Sequence, residues 1–489
     1  MVSNQGNTLP IPDNPPASNV PAVSFITTLG GDVTLALNAK TGQTLKINTV
    51  HPEFTQNRLN SVNDLTINGG GTVVLAPVEG NFNPQPDFNW SNLRSINVQN
   101  GTLTVNHTII QNVNVGGVPD PSSTPLYDPD KSHPLFSPTV NLTLGQNGTL
   151  DLTNNYYTDR NPYSNILNLN GSGHIILGAQ TVYDPLLYSV TKAGSFTVNG
   201  DSSVFSGRIT GFDGNQPPNF PSYTLADSNT TFDNDVTRIN FNGKFADLNG
   251  ATIESTSLLS FISPNNKYGT TSTSHNFIRN GASINADELL IGHGHDKIDV
   301  TGSTARYSSD HNNATVIASD HNTQINTAQL VVGQQESDKK LTLAADGKTF
   351  VPVQNGIIGD KGHSSGTLYV TKGADITISG GSLHGGIYLG NNAGFGFDNR
   401  REIASRNNPE IFADGDSDGT IHITGDNVSY DADNKIVQNA GHDGGIVNVD
   451  EGTLWIGPVN GSNGSGLITV DHGGQLNLKN SFIVLGGQN

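Results

Sequence analysis

Glu451–Gly486 reads EGTLWIGPVNGSNGSGLITVDHGGQLNLKNSFIVLG. Three short runs in it, Leu454–Ile456, Leu467–Val470 and Leu476–Leu478, place apolar residues at alternate positions and are parted by Gly, Asn, Ser and Asp. That alternation predicts half-buried strands joined by tight turns. Apolar triplets closed by glycine recur at Leu142–Gly145, Ile175–Gly178, Leu289–Gly292, Leu330–Gly333, Ile387–Gly390, Leu454–Gly457 and Ile483–Gly486. A second signature, Gly-Thr-Leu entering a strand, begins at Gly101, Gly148, Gly366 and Gly452, with variants at Gly71 and Gly419. Repetition of one strand-and-corner unit predicts an all-β solenoid.

Gly333 and Gly359 lie 26 residues apart, and Gly457 and Gly486 lie 29 apart. A turn of roughly 20 to 30 residues follows, which winds the chain into about 16 to 22 turns. At ~4.8 Å per stacked strand the rod is on the order of 75 to 105 Å long. Residues 1–24, with Pro10, Pro12, Pro15, Pro16 and Pro21, read as an extended lead-in, and 25–489 as one β-helix domain. Long Pro-, Asp- and aromatic-rich insertions interrupt its 77–281 part: 77–90, 116–138, 154–165, 179–188, 211–235 and 263–276. The 282–489 part is more regular apart from a loop at 391–418.

The chain carries 57 glycines, no cysteine and a net charge of −19. Disulfides, thiolate metal sites and a cysteine nucleophile are excluded, and the acidic surface disfavours nucleic acid and anionic membrane. No stretch is long and apolar enough for a membrane-spanning helix, and Met1-Val2-Ser3 does not open a signal peptide.

The units Leu289-Leu-Ile-Gly…Ile298-Asp-Val and Leu454-Trp-Ile-Gly…Leu467-Ile-Thr-Val-Asp-His-Gly-Gly resemble the passenger domains of bacterial autotransporter adhesins, proteins of type V secretion. The resemblance runs over nearly the whole chain. It implies a right-handed parallel β-helix, export through an outer-membrane barrel and display at the bacterial surface as a non-catalytic, monomeric adhesin. It also implies host extracellular-matrix ligands: glycosaminoglycans, or a matrix glycoprotein such as fibronectin. Membrane attachment would run through a C-terminal barrel.

The insertions hold the candidate binding residues. Tyr127, Asp128, Asp130, Tyr156, Tyr157, Asp159, Arg160, Tyr183, Asp184, Asp213, Asn215 and Tyr223, with Tyr188, Phe212 and Phe220, place rings beside carboxylate, amide and guanidinium groups. A sugar chain packs its C–H faces on rings and spends its hydroxyls on directed hydrogen bonds. Loops inserted at one corner of successive turns would stack into a wall and make a groove; the competing reading buries these rings beneath their own loops. Arg400 and Arg401, with Arg406, form a basic cluster for a sulfated or protein ligand.

Asp414-Gly-Asp416-Ser-Asp418-Gly419 has the first half of a Ca²⁺ loop, with alternate carboxylates able to converge on a hard cation. Position twelve is Gly425 rather than Glu, which excludes an EF-hand, and a solvated acidic turn competes with the metal. His293-Gly-His295-Asp296, Asp310-His311-Asn312 and Asp320-His321-Asn322 contain metal-ligand types, but the last two read as equivalent turns flanking a strand at Ala314–Ala318. A polysaccharide lyase or hydrolase would need convergent carboxylates among residues such as Asp128, Asp159, Asp184 and Asp213, with Arg160 or Arg208 as the cation, and no spacing singles out a pair. Asp416-Ser417-Asp418-Gly419 departs from a serine-protease Gly-Asp-Ser-Gly segment. Self-association of passengers is the remaining alternative.

Overall fold

The computed structural model describes residues 22–23, 33–48, 57–58, 62–76, 87–89, 93–105, 109–111, 139–153, 163–177, 181–184, 189–211, 232–264, 272–301, 304–309, 311–337, 341–343, 350–352, 357–358, 363–379, 385–391, 416–457 and 464–485. Among these the protein is all-β, with no helix. The chain divides into two compact units, residues 1–239 with 254–256, and residues 240–253 with 257–489.

In the first unit, Val33–Asn38 pairs in parallel with Val62–Asn68, that strand with Ser95–Val105, and so on to Asn141–Asp151, Leu169–Gly171 and Ser203–Phe205. A second ladder runs through Thr44–Asn48, Thr72–Ala76, the ends of the two long strands, His174–Ile176 and Arg208–Thr210. Leu65, Ile96, Leu142 and Leu169 stack in register down the interior and are buried. Alternation alone sends every second residue inward. Ile96–Val98 and Leu103–Val105 belong to one continuous strand, Ser95–Val105, with Gly101 at φ 113°.

The second unit is a coil of three parallel ladders. One joins Phe245–Asn249, Ser272–Arg279, His311–Ser319, His363–Thr371, Asp416–Thr424 and Gly464–Asp471. The next joins the start of Ser283–Thr301 to Gln324–Ser337, Asp375–Ser379, Ile446–Asp450 and Gln475–Lys479. The third passes from Leu289–Ile291 through Leu330–Val332 and Gly386–Asn391 to Thr453–Ile456 and Phe482–Leu485. Side chains from all three fill the interior, Ile278, Ala318, Val370 and Ile423 forming one buried column. Gly292, Gly333, Gly390 and Gly457 stand at one corner. Gly292 and Gly333 both have φ 71°, and a Cβ on Gly333 would lie 2.0 Å from the Asp418 carbonyl oxygen.

Three expectations are corrected. The coil is not a uniform 20 to 30 residues: hydrogen-bonded neighbours on adjacent coils are 27 residues apart at Asn141/Asn168, 39 at Asn276/Thr315, 47 at His422/Thr469 and 29 at Asn448/Asn477. Insertions are absorbed within a coil while the parallel register is kept. Part of the expected 263–276 insertion is strand: Ser272, Ser274 and Asn276 point inward, where Ser272 Oγ and Asn276 Nδ2 find partners. Asn276 Nδ2 donates to Ser274 Oγ (3.1 Å) and to the Thr315 carbonyl (3.2 Å). Likewise His311 and Asn312 are not a turn matching Asp320–Asn322 but the first residues of His311–Ser319. Asn312 is fully buried, its Oδ1 accepting from Ser263 Oγ at 2.8 Å.

Candidate functional site

On the first ladder of the second unit, Phe277, Ile317, Tyr369 and His422 are consecutive in register and alternate with the inward column. They point away from the coil interior, where water would normally demand polar side chains, yet Ile317 is fully buried and Tyr369 is 7% exposed. Their cover is a separate antiparallel hairpin, Asn427–Tyr430 with Ile436–Asn439. Asp431 Oδ1 makes its turn by accepting from the Asp433 and Lys435 amides at 2.8 and 2.9 Å, a local bond that aspartate forms readily. Asn434 takes the left-handed conformation (φ 59°) that asparagine tolerates best after glycine.

Period 2 puts Val428 and Tyr430 on one side of the hairpin, and both pack down on Ile317 and Tyr369, with Phe277 and Ile436 beside them. The Tyr430 ring meets the edges of His275 (4.8 Å between centroids) and Phe277 (5.1 Å), and its hydroxyl donates to the Thr315 carbonyl at 3.3 Å. Tyr369 stacks on His422 at 4.6 Å, and Thr371 Oγ1 donates to the Asp426 carbonyl at the hairpin's root. Burial pushes the Tyr430 and Tyr369 hydroxyls up and the His422 imidazole down. It also lowers His275, against a hydrogen bond to the Asn434 backbone.

Between the hairpin and the coil corner lies a cleft of about 490 Å³, lined by Phe245, Phe277, Arg279, Asn280, Ser319, Asp320, Lys372, Val428, Ser429, Tyr430, Asp431 and Asn434. Three of these, Asn280 (φ 58°), Asp320 (φ 84°) and Lys372 (φ 51°), leave successive strands of one ladder in the left-handed conformation. A parallel ladder repeats its corner at every coil, so the three side chains share one rim. Arg279 is locked: Nε and Nη2 donate to the two oxygens of buried Asp247 at 3.1 and 2.7 Å, and the guanidinium lies 4.5 Å over the Phe277 ring. Phe245 meets Phe277 edge-on at 6.2 Å. Asp320 Oδ2 accepts from the Asn280 amide (3.1 Å) and Ser319 Oγ (3.2 Å). The cleft thus combines an apolar aromatic wall, an immobilised guanidinium and carboxylates able to accept from hydroxyls.

The residues singled out from sequence are distributed differently. Tyr127, Asp128, Asp130, Tyr156, Tyr157, Asp159, Arg160, Tyr188, Phe212, Asp213, Asn215, Phe220, Tyr223, Arg400, Arg401, Arg406 and Asp414 lie outside the described residues. Tyr183 and Asp184 lie on Thr181–Asp184, a strand antiparallel to the start of Ser189–Val198. Asp416 and Asp418 stand in a strand, two positions apart in the ladder. Asp418 accepts from Ser465 Oγ at 2.5 Å and lies 3.4 Å from His363 Nε2. Among the described residues no three His, Asp or Glu side chains gather as a metal-ligand set.

Phe245, Phe277, Arg279 and Tyr430 were not singled out by the sequence reading. The available signal was positional: Phe277 and Arg279 continue the alternation of Ser272–Ile278 on the outward side, where a solvent-facing strand would carry Thr or Asn. Comparisons with protein-family models, with curated proteins and with solved structures find no match.

Proposed function

We propose that the parallel coil is a right-handed β-helix of the autotransporter passenger kind, displayed at a bacterial surface, and that it binds glycans of the host extracellular matrix or of its glycoproteins without cleaving them. The observation that carries this reading is the cleft at Phe277, Arg279, Asp320 and Tyr430, with rings and directed polar groups converging on about 490 Å³. Sites that orient a small ligand combine an apolar wall with a few placed polar groups in this way. The outward Thr, Asn and Asp of the ladders supply a solvated surface around it. Non-catalytic binding is favoured by the state of the cleft's acids. Asp320 is held by a backbone amide and a hydroxyl, and Asp431 by two amides. Groups tied in this way suit recognition better than proton transfer.

The test is an array of matrix glycans and glycoproteins probed with the whole chain, followed by chromatography of each bound glycan after long incubation. Retention of specific glycans at unchanged length is the expected result. Shortened glycan would make the protein an enzyme, and an array without a hit would remove the adhesin reading.

A further inference from the structure

Resting on that glycan-binding reading, we infer that the hairpin-walled cleft takes a neutral, hydroxyl-bearing sugar ring, and not a sulfated or carboxylated chain. The charges and lone pairs that face the cleft decide this. Arg279 is the obvious anion receptor, but its charge is cancelled at close range by Asp247, whose side chain is 4% exposed and bidentate on Nε and Nη2. An ion pair closed in this way presents little field to a second anion, and its guanidinium, 4.5 Å over the Phe277 ring, forms part of the cleft wall.

The remaining charges lining the cleft are Asp320, Asp431 and Lys372. With the Arg279–Asp247 pair neutral, carboxylates outnumber ammonium groups two to one in a chain of net charge −19. A polyanion entering there would approach two carboxylates against one lysine.

The same two carboxylates are suited to a polyol. Each spends one oxygen on the protein itself, Asp320 Oδ2 on the Asn280 amide of the preceding coil and on Ser319, Asp431 Oδ1 on the amides of Asp433 and Lys435 in its own turn. Their other oxygens have no hydrogen-bond partner among the described residues. An ionised carboxylate accepts only, so these oxygens call for O–H or amide N–H donors. Phe245, Phe277 and Tyr430 line the same cleft and supply apolar wall beside these oxygens. Such a ligand binds through hydrogen bonds and ring contact, both nearly insensitive to salt, whereas a polyanion held by lysine would be released by it.

The experiment uses the whole chain with three probes: chitotriose and maltotriose as neutral ligands, and a heparin hexasaccharide as the polyanion. Binding is measured by calorimetry at about 50 and about 500 mM NaCl. Two variants locate the site. Ser429→Trp adds a bulky ring at the hairpin rim that Ser429 contributes to the cleft, and Asp320→Lys reverses the charge at a left-handed corner where glycine is not required; their melting curves report folding independently.

The expected result is that at least one trisaccharide binds with an affinity that salt leaves unchanged, and that both variants weaken it about tenfold or more, roughly 1.4 kcal/mol. Heparin bound in a salt-sensitive way and displaced by Ser429→Trp would overturn the neutral-ligand assignment while leaving the glycan reading intact. Glycans bound with Ser429→Trp without effect would overturn the cleft as their site. No glycan bound by the parent protein would remove both.

Discussion

Substituting Gly333 tests the corner geometry on which the coil depends. Gly333 has φ 71°, and a Cβ built there lies 2.0 Å from the Asp418 carbonyl oxygen and 2.4 Å from its carbon. Gly281, in the same unit, has φ 80°, but its Cβ would come no closer than 3.5 Å, to the Asn322 side chain. Gly281→Ala therefore costs the left-handed conformation alone, about 1 to 2 kcal/mol. Gly333→Ala carries that same cost and must also push a strand backbone aside, an overpacking of about 1 to 3 kcal/mol more. The total is about 2 to 5 kcal/mol. Hydrogen exchange followed by mass spectrometry is the suitable assay, since a stacked array opens locally and has no single unfolding free energy. The amides of Gln324–Ser337 and Asp416–Thr424 should lose protection in Gly333→Ala and keep most of it in Gly281→Ala. Equal losses in the two variants would show that close backbone approach does not hold the corner, and the argument would fail.

Tyr430→Phe should cost under about 1 kcal/mol, because the Thr315 carbonyl keeps its bond from Asn276 Nδ2, whereas Tyr430→Ala should cost about 3 to 5 kcal/mol and release Asn427–Asn439 to exchange. Hairpin docking should also weaken in acid. His275 and His422 are held below the ordinary imidazole range by burial, so the docked state binds protons less readily than the undocked one. Docking is at full strength above about pH 6.5 and is lost progressively as the pH falls from there toward the depressed values. The groups facing the two rings are Tyr430 and the Asn434 backbone at His275, with Arg279 further along that strand, and Tyr369, Thr469 and Asp471 at His422. Protection of the hairpin that is the same at neutral pH and at about pH 5, after correction for intrinsic exchange, would contradict this. Asp247→Asn should free Arg279 and cost about 1 to 3 kcal/mol, less than a wholly buried pair because Arg279 is 36% exposed. It should also turn the cleft toward anions, read as a gain of heparin binding.

Much of the strand pattern is a local property and was legible in the chain. Alternation in Leu65–Ile67, Ile96–Val98 and Leu454–Ile456 and the glycines after Ile291 and Val332 specify strands and corners through nearest-neighbour sterics alone. Coil length was not legible, because the register between parallel strands is set by how much chain an insertion takes up before it returns, as the spacings of 27 and 47 residues show. The first residues of the polar strand Ser272–Arg279 look like part of an insertion in the sequence, since Ser272, Ser274 and Asn276 show no apolar alternation and the Asn276 bond to the Thr315 carbonyl exists only once the next coil is in place. The cleft was out of reach for the same reason. Phe245, Phe277, Asp320 and Tyr430 are far apart in sequence and become neighbours only when the ladder stacks three coils and a hairpin folds back over them. Local residues decided that the chain would be strands and corners; the parallel stacking, which places residues a whole coil apart side by side, decided which side chains meet.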